Sequence, residues 1–280
     1  RSPSRGLGDV YKRQMQRYLG KKDFPFIKLS SRIISDYQGK LLASGICDNT
    51  IGFYLHNIKA LFRKGCREMG LELPCPFRDI SIKTEKTLKR SLDPVVIKTL
   101  SAIELEKDSP LSLARDIFMF SFYTRGMSFV DIALLKKRHV FPGEICYRRH
   151  KTDQLMRVGI NKEISRILER YKNVPGEYIF PLFPAERDPY AGYRSAYHRI
   201  RYSLGKISRV IGLEFPLRLH AARHSWATIA KVNGASVHVI GECLGHTSEK
   251  TTRIYLKELD HSALDAVNNQ VADFILAVDD

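Results

Sequence analysis

Residues 219–227 read LHAARHSWA and bring two histidines and an arginine into one short run: His220, Arg223 and His224. On a helix, His220 lies one turn from both of the others. Two histidines four apart could hold a metal ion, and a histidine three residues before an arginine could grip a phosphate. A zinc site of the H-E-x-x-H type needs a glutamate beside the first histidine to act as base. Here Ala221, Ala222 and Arg223 intervene, and a guanidinium between two ligands repels a dication. The metal alternative is therefore poor, and no metal ligand is assigned.

The phosphate alternative gains support downstream. CLGHTSEKTTRIYL, residues 243–256, places His246 nine residues before Tyr255. A phenol is a nucleophile once deprotonated, and neighbouring cations favour that form. H-x-x-R, then L-G-H, then a tyrosine nine residues on, resembles the tyrosine recombinase (phage integrase) family. Its wider signature is arginine, lysine, histidine, arginine, histidine or tryptophan, and tyrosine, in that order. Arg125 in YTRGMSFVDIA matches the first arginine and Lys151 the lysine. His220 and Arg223 match the H-x-x-R pair, His246 the fifth position and Tyr255 the nucleophile. The style of RGMSFVDIALL resembles integrases of Bacteroidetes mobile elements. One departure stands out: many members carry an acid three residues after the first arginine, where this chain has Ser128 and the nearest acid is Asp131.

The resemblance implies a chemistry for each residue. Arg125 and Arg223 would clamp the non-bridging oxygens of a phosphodiester, where charge accumulates in the transition state. His246 would donate a further hydrogen bond, and His220 would position or deprotonate Tyr255. Lys151, at a mobile hairpin tip, would protonate the departing 5′-oxygen. A 3′-phosphotyrosyl link conserves the bond energy, so neither a metal nor a nucleotide cofactor is called for. Two rivals remain: a type IB topoisomerase, which shares these groups but relaxes DNA alone, and a DNA-binding protein with a decayed site.

The bulk composition agrees with a polyanionic partner. The chain of 280 residues has 46 basic and 30 acidic residues, a formal charge of +16, which favours nucleic acid. Residues 4–14, SRGLGDVYKRQ, can be back-translated into a transposon-type sequencing-library adapter, so residues 1–14 are set aside from the fold and native sequence is expected to start upstream of Met15. Without those residues' four basic groups and one acid the charge is still +13. No apolar run is long enough for a membrane helix. Five dispersed cysteines without a C-x-x-C pair read as reduced thiols. The expected location is the bacterial cytoplasm, in association with the nucleoid.

Elements that would position the six residues follow from hydrophobic periodicity. DNTIGFYLHNIKALFRKGCREMG, residues 48–70, carries Ile51, Tyr54, Leu55, Ile58, Leu61 and Phe62 as an apolar stripe. Asp48 or Asn49 would cap it and Gly70 would end it. Lys59, Arg63, Lys64 and Arg67 form its basic outer face, a candidate DNA contact. A helix near 28–44 precedes it, and the proline-interrupted stretch 71–90 reads as a linker. From Leu92 onward the pattern is mostly helical, with a buried run at 112–123 that delivers Arg125. GEICYRRHKTDQLMRVGI, residues 143–160, is a β-hairpin signal with Lys151 at its tip and Arg148 and Arg149 as candidate DNA contacts. Helices are predicted at 161–172, 190–211, 219–232, 236–244 and 248–257, with a last near 261–276.

The expected fold class is therefore mainly α. A SAM-like helical core-binding domain, 15–84 with its first helix missing, precedes a mostly helical α+β catalytic domain, 85–280, with a small β-hairpin or sheet. The resemblance implies that the two domains close around duplex DNA. It further implies a homotetramer on recombination sites formed by exchange of the C-terminal helix, with accessory DNA-bending proteins as possible partners.

Overall fold

The computed structural model describes the chain apart from residues 1–4, 21–23, 84, 86–90, 184–188, 247, 257–270 and 272–280, and apart from the side chains of 5–10, 26, 189–191, 254 and 255. The chain divides into two units, Arg1–Leu88 and Lys89–Asp280.

The first unit is helical. Its helices are α1 (Arg5–Leu19), α2 (Ser31–Ala43) and α3 (Asp48–Glu68). Ser30 caps α2 by accepting from the Ile33 amide, and Ile34, Tyr37 and Leu41 then fall on one face and are buried. Helix α3 buries Ile51, Leu55, Ile58 and Phe62, again one stripe, while Tyr54 and Leu61 pack at its edge. Its start differs from expectation: Cys47 is the cap residue, without a side-chain cap bond. Asn49 is instead committed to the chain at Glu85, through Nδ2 to the carbonyl at 2.9 Å and Oδ1 from the amide at 3.0 Å. Gly70, at φ +63°, follows the end of α3 as expected.

Residues 4–14, set aside as an adapter translation, lie largely within α1. Tyr11 and Met15 are 7% and 8% exposed in the same core as Tyr37 and Phe62. The reason is spacing: Tyr11, Met15, Tyr18 and Leu19 recur at helical intervals, which suffices to bury one face whatever the origin of the codons.

The second unit is built around α5 (Pro110–Tyr123), which packs against α7 (Lys162–Arg170), α8 (Pro189–Val210) and α9 (Leu219–Val232). Ile117, Phe118 and Phe120 are fully buried, since a helix apolar on every face is stable only when surrounded. Ser109 caps α5 and Pro110 opens it. Helix α4 (Pro94–Ala102) precedes it, and a short helix, α6 (Phe129–Ala133), follows. The hairpin is present as β2 (Glu144–Arg148) and β3 (Leu155–Gly159), antiparallel with Arg148 opposite Leu155. Ile145, Tyr147, Met156 and Val158 face inward by strict alternation. A two-residue strand, β1 (Val140–Phe141), adds a third strand beside β2; neither β1 nor α6 was anticipated, both being too short to show a period. Helices α10 (Val237–Leu244) and α11 (Glu249–Tyr255) complete the described elements. The predicted helix at 261–276 falls outside the described residues, Val271 excepted. The class is mainly helical with one small antiparallel sheet, as expected.

Candidate active site

Arg125 sits in an unusual turn. Helix α5 ends at Tyr123, and the amides of Arg125 and Gly126 return to the carbonyls of Phe122 (3.2 Å) and Ser121 (2.7 Å). This is a Schellman closure with Arg125 in the left-handed position, φ +61°, that glycine usually takes. A non-glycine residue there costs about 1–2 kcal/mol. The half-buried Arg125 reaches the Arg157 carbonyl at 3.5 Å. Gly126, at φ +76°, has no such latitude, because a Cβ on it would stand 2.5 Å from Cγ and 2.8 Å from Cα of Arg223. The turn that presents Arg125 is therefore the surface on which α9 seats Arg223.

Arg223 is 5% exposed. Its Nη1 donates to the Gly126 carbonyl at 2.9 Å and its Nη2 to the Leu244 carbonyl. Both acceptors lie at helix C-termini, where orphan carbonyls and the negative end of the dipole balance a buried cation. The same Nη2 is 3.0 Å from Nε2 of His246. A guanidinium has no acceptor, so Nε2 must accept and the ring proton sits on Nδ1, which lies 3.0 Å from the Thr252 hydroxyl. Thr252 is fully buried beneath Gly241, where a Cβ would meet its Oγ1 at 2.8 Å. The L-G-H glycine, Gly245, takes φ +64° at the end of α10 and leaves no room for a Cβ beside Met156, so the hairpin abuts the His246 turn.

Burial, and after it Arg223, Arg149, Lys151 and His220, push the His246 ring down to about 4 from its usual 6.5. Four residues from two separate segments, α9 and the hairpin turn, thus act on one imidazole. His220 is exposed at the start of α9, and its ring meets that of buried His224 edge-on at 4.7 Å between centroids. Lys151 is exposed at the hairpin tip. Arg125, through its turn, completes the group. Tyr255 closes α11, three residues past Thr252; its side chain lies outside the described residues.

The sequence pattern of the phage integrase family matches residues 91–261. The chain belongs to that family. It is a DNA strand-transferring enzyme. Tyrosine recombinase XerC of Shewanella oneidensis is 25% identical over 256 residues, covering 88% of this chain and 80% of its own. Tyrosine recombinase XerD of Pseudomonas putida is 36% identical over 94 residues, 31% of this chain and 30% of its own. In structure the chain is similar to XerH site-specific recombinase bound to palindromic difH substrate in a post-cleavage complex. That match has a TM-score of 0.70 and 17% identity, over 92% of this chain and 77% of the other. A lambda integrase dimer bound to a COC′ core site aligns with TM-score 0.69 and 16% identity, over 93% and 90%. These matches share the fold of the family, and they favour recombination over the topoisomerase and non-catalytic alternatives.

The candidate DNA contacts of this integrase divide. Arg63, Lys64 and Arg67 are exposed on α3 and Lys59 is half-buried, with Lys64 also 3.6 Å from Glu68. Arg148 spans the hairpin turn, donating to the Asp153 carbonyl at 2.9 Å. Arg149 differs from expectation: it turns inward, and its Nη1 donates to the Gly245 carbonyl, one residue before His246. Sequence reasoning predicted the helix at 190–211 but missed α8 as a candidate DNA contact; its 22 residues include no acid. Arg194, His198, Arg201 and Arg209 are exposed along it, and their spacing of four, three and eight puts them on one face. The absence of acids from so long a helix was the available signal.

The low His246 value makes a measurable expectation. In the DNA-free protein the ring stays neutral, protonated at Nδ1, through pH 6, and nitrogen NMR of labelled histidine should find its midpoint near 4. Because the unfolded chain takes up this proton near 6.5 and the folded one only near 4, the site's contribution is present above 6.5 and is lost as pH falls through that window. Binding a phosphodiester among these cations should raise the midpoint. A free-protein midpoint near 6.5 would contradict the geometry.

Proposed function

We propose that this integrase is a site-specific recombinase that cuts and rejoins DNA at Tyr255, for integration, excision or inversion of a mobile element of the Bacteroidetes type. The observation that carries the reading is the convergence of Arg223, Arg149, Lys151 and His220 on the half-buried His246 ring, a cationic pocket suited to a single phosphodiester. In that reading Tyr255 loses its proton to His220 and its oxygen attacks phosphorus. A phenolic O–P bond forms, the P–O5′ bond breaks, and the 5′-oxygen takes a proton from the Lys151 ammonium. Attack by a 5′-hydroxyl of another strand reverses each step and restores the tyrosine. The phosphate's charge lets His246 take a second proton and donate from Nε2, while Arg223 exchanges a carbonyl for a phosphoryl oxygen. The basic faces of α3 and α8, with Arg148, supply phosphate contacts along the duplex.

The finer assembly belongs to the same proposal. Four copies join two duplexes by exchanging the segment 261–276, accessory DNA-bending proteins assist, and the enzyme works in the bacterial cytoplasm at the nucleoid. The heterologous, ring-closing exchange would make cleavage depend on synapsis.

The test uses a substrate with sulfur at the 5′-bridging position, which leaves without a proton. On ordinary DNA, Lys151→Ala should cleave on the order of 10²–10⁴-fold more slowly, and on the sulfur substrate it should approach the parent. Arg223→Ala should remain defective on both. Equal rescue of both variants, or of neither, would refute the general-acid role of Lys151.

A further inference from the structure

The hairpin tip is held from two sides, although Lys151 itself is exposed. Arg149 and Gln154 close the turn through an amide–carbonyl bond of 2.8 Å, and the Asp153 amide returns to the Arg149 carbonyl at 2.8 Å. On one side Arg149 reaches the Gly245 carbonyl. On the other, Oδ1 of Asp131 accepts the backbone N–H of His150 at 2.8 Å. Asp131 is 5% exposed, and its Oδ2 accepts from the Ser128 hydroxyl at 2.5 Å. Ser128 in turn caps α6, accepting the Asp131 amide at 3.4 Å. One carboxylate therefore ties the segment just after Arg125 to the residue just before Lys151.

A buried carboxylate is a costly acceptor, since its charge loses water, and a backbone amide would be satisfied by any neutral oxygen. What the charge adds is strength and direction: hydrogen bonds to ionised acceptors are roughly twice as strong as neutral ones. The neighbouring buried Tyr147 is pushed up by burial first and by Asp131 next, while Arg149, Arg223 and Arg125 oppose the shift, so these groups surround one side chain.

We propose that Asp131, oriented by Ser128, is a positioning residue for proton delivery: it latches the hairpin turn at His150 so that the adjoining Lys151 stands over the phosphate held by Arg125 and Arg223. The proposal rests on the general-acid reading of Lys151. Its consequence is selective. Loosening the latch misplaces the proton donor but leaves the two arginines and the histidine that grip the phosphate.

Single-turnover cleavage by Asp131→Ala and Asp131→Asn, on ordinary and 5′-bridging-sulfur DNA, tests it. Misplacing a reacting group by about 1 Å costs on the order of a hundredfold, so Asp131→Ala should lose roughly that on ordinary DNA and nearly nothing on the sulfur substrate. Asp131→Asn keeps an oxygen for the His150 amide and should stay within about threefold on both. Adding Asp131→Ala to Lys151→Ala should slow cleavage no further. If Asp131→Ala fails to fold, Ser128→Ala takes its place, with the same substrate selectivity at smaller amplitude. A folded Asp131→Ala or Ser128→Ala protein equally impaired on both substrates, or unimpaired on ordinary DNA, overturns the latch while leaving the Lys151 reading intact. Failure of the sulfur substrate to rescue Lys151→Ala would remove that reading and the latch with it.

Discussion

Tyr255→Phe is expected to bind duplex DNA with unchanged affinity and to form no covalent protein–DNA adduct at all. The substitution removes one hydroxyl at the end of α11, a helix that also carries the buried Thr252. The phosphate-gripping groups, Arg223 and His246, are untouched, so the ground-state complex should persist. Without a nucleophile the P–O5′ bond has no in-line partner, and the residual rate is that of water. Denaturing gels after incubation with a labelled site would show the loss, and native gels would show the retained complex. An SDS-resistant adduct from Tyr255→Phe would sink the assignment of Tyr255.

Opposite signs are expected from two neighbouring substitutions in the turn after α5. Arg125→Gly places glycine in the left-handed position that a Schellman closure favours, relieving about 1–2 kcal/mol of strain and adding back about 0.5–1 kcal/mol of unfolded-state entropy. Stability should thus stay within about 1 kcal/mol of the parent, while cleavage falls on the order of 10²–10³-fold through loss of a transition-state donor. Gly126→Ala should do the reverse damage. Its Cβ would stand 2.5 Å from Cγ of Arg223, a main-chain and side-chain collision at a left-handed φ of +76°. Strain of about 1–2 kcal/mol and overpacking of about 1–3 kcal/mol together approach half of a typical domain's stability. Relief can come only by moving α9, which withdraws Arg223 from the Gly126 carbonyl. Chemical denaturation with single-turnover cleavage would check both. A stable, active Gly126→Ala protein would show that the two arginines are not seated on one another.

The strain at Arg125 supports the proposed role of this turn. Glycine at that position would close the helix more easily, and an arginine held there against local preference is expected where a side chain is needed for chemistry. His246 shows the same pattern electrostatically. Its ring is placed among four cationic or potentially cationic neighbours, an arrangement that favours an anionic ligand over the empty site.

The order of the six residues, the long helices and the hairpin were legible in the sequence, because each rests on local periodicity or on a short motif. Helix α9 carries H-x-x-R on a face that amphipathic spacing alone assigns, and α3 shows its apolar stripe directly. The chemistry proposed for the tyrosine and the two arginines, and the preference for a polyanion, also came from residue types and charge alone. What the sequence could not supply were contacts between residues far apart along the chain. The Arg223 bonds to Gly126 and Leu244 span 97 and 21 residues, the Arg149 bond to Gly245 spans 96, and the Asp131 bond to His150 spans 19. The left-handed φ of Arg125 was hidden because local preference would have placed glycine there. Arg149 read as one more basic residue in a basic run, and Ser128 read as a missing acid. Residues 1–14 were set aside on the origin of their codons, and in the structure Tyr11 is buried beside Met15 because the two recur at helical spacing. Backbone propensity and periodicity act within a few residues and can be read in order. The seating of one cation on another segment's carbonyl depends on how helices pack, which only the tertiary structure decides.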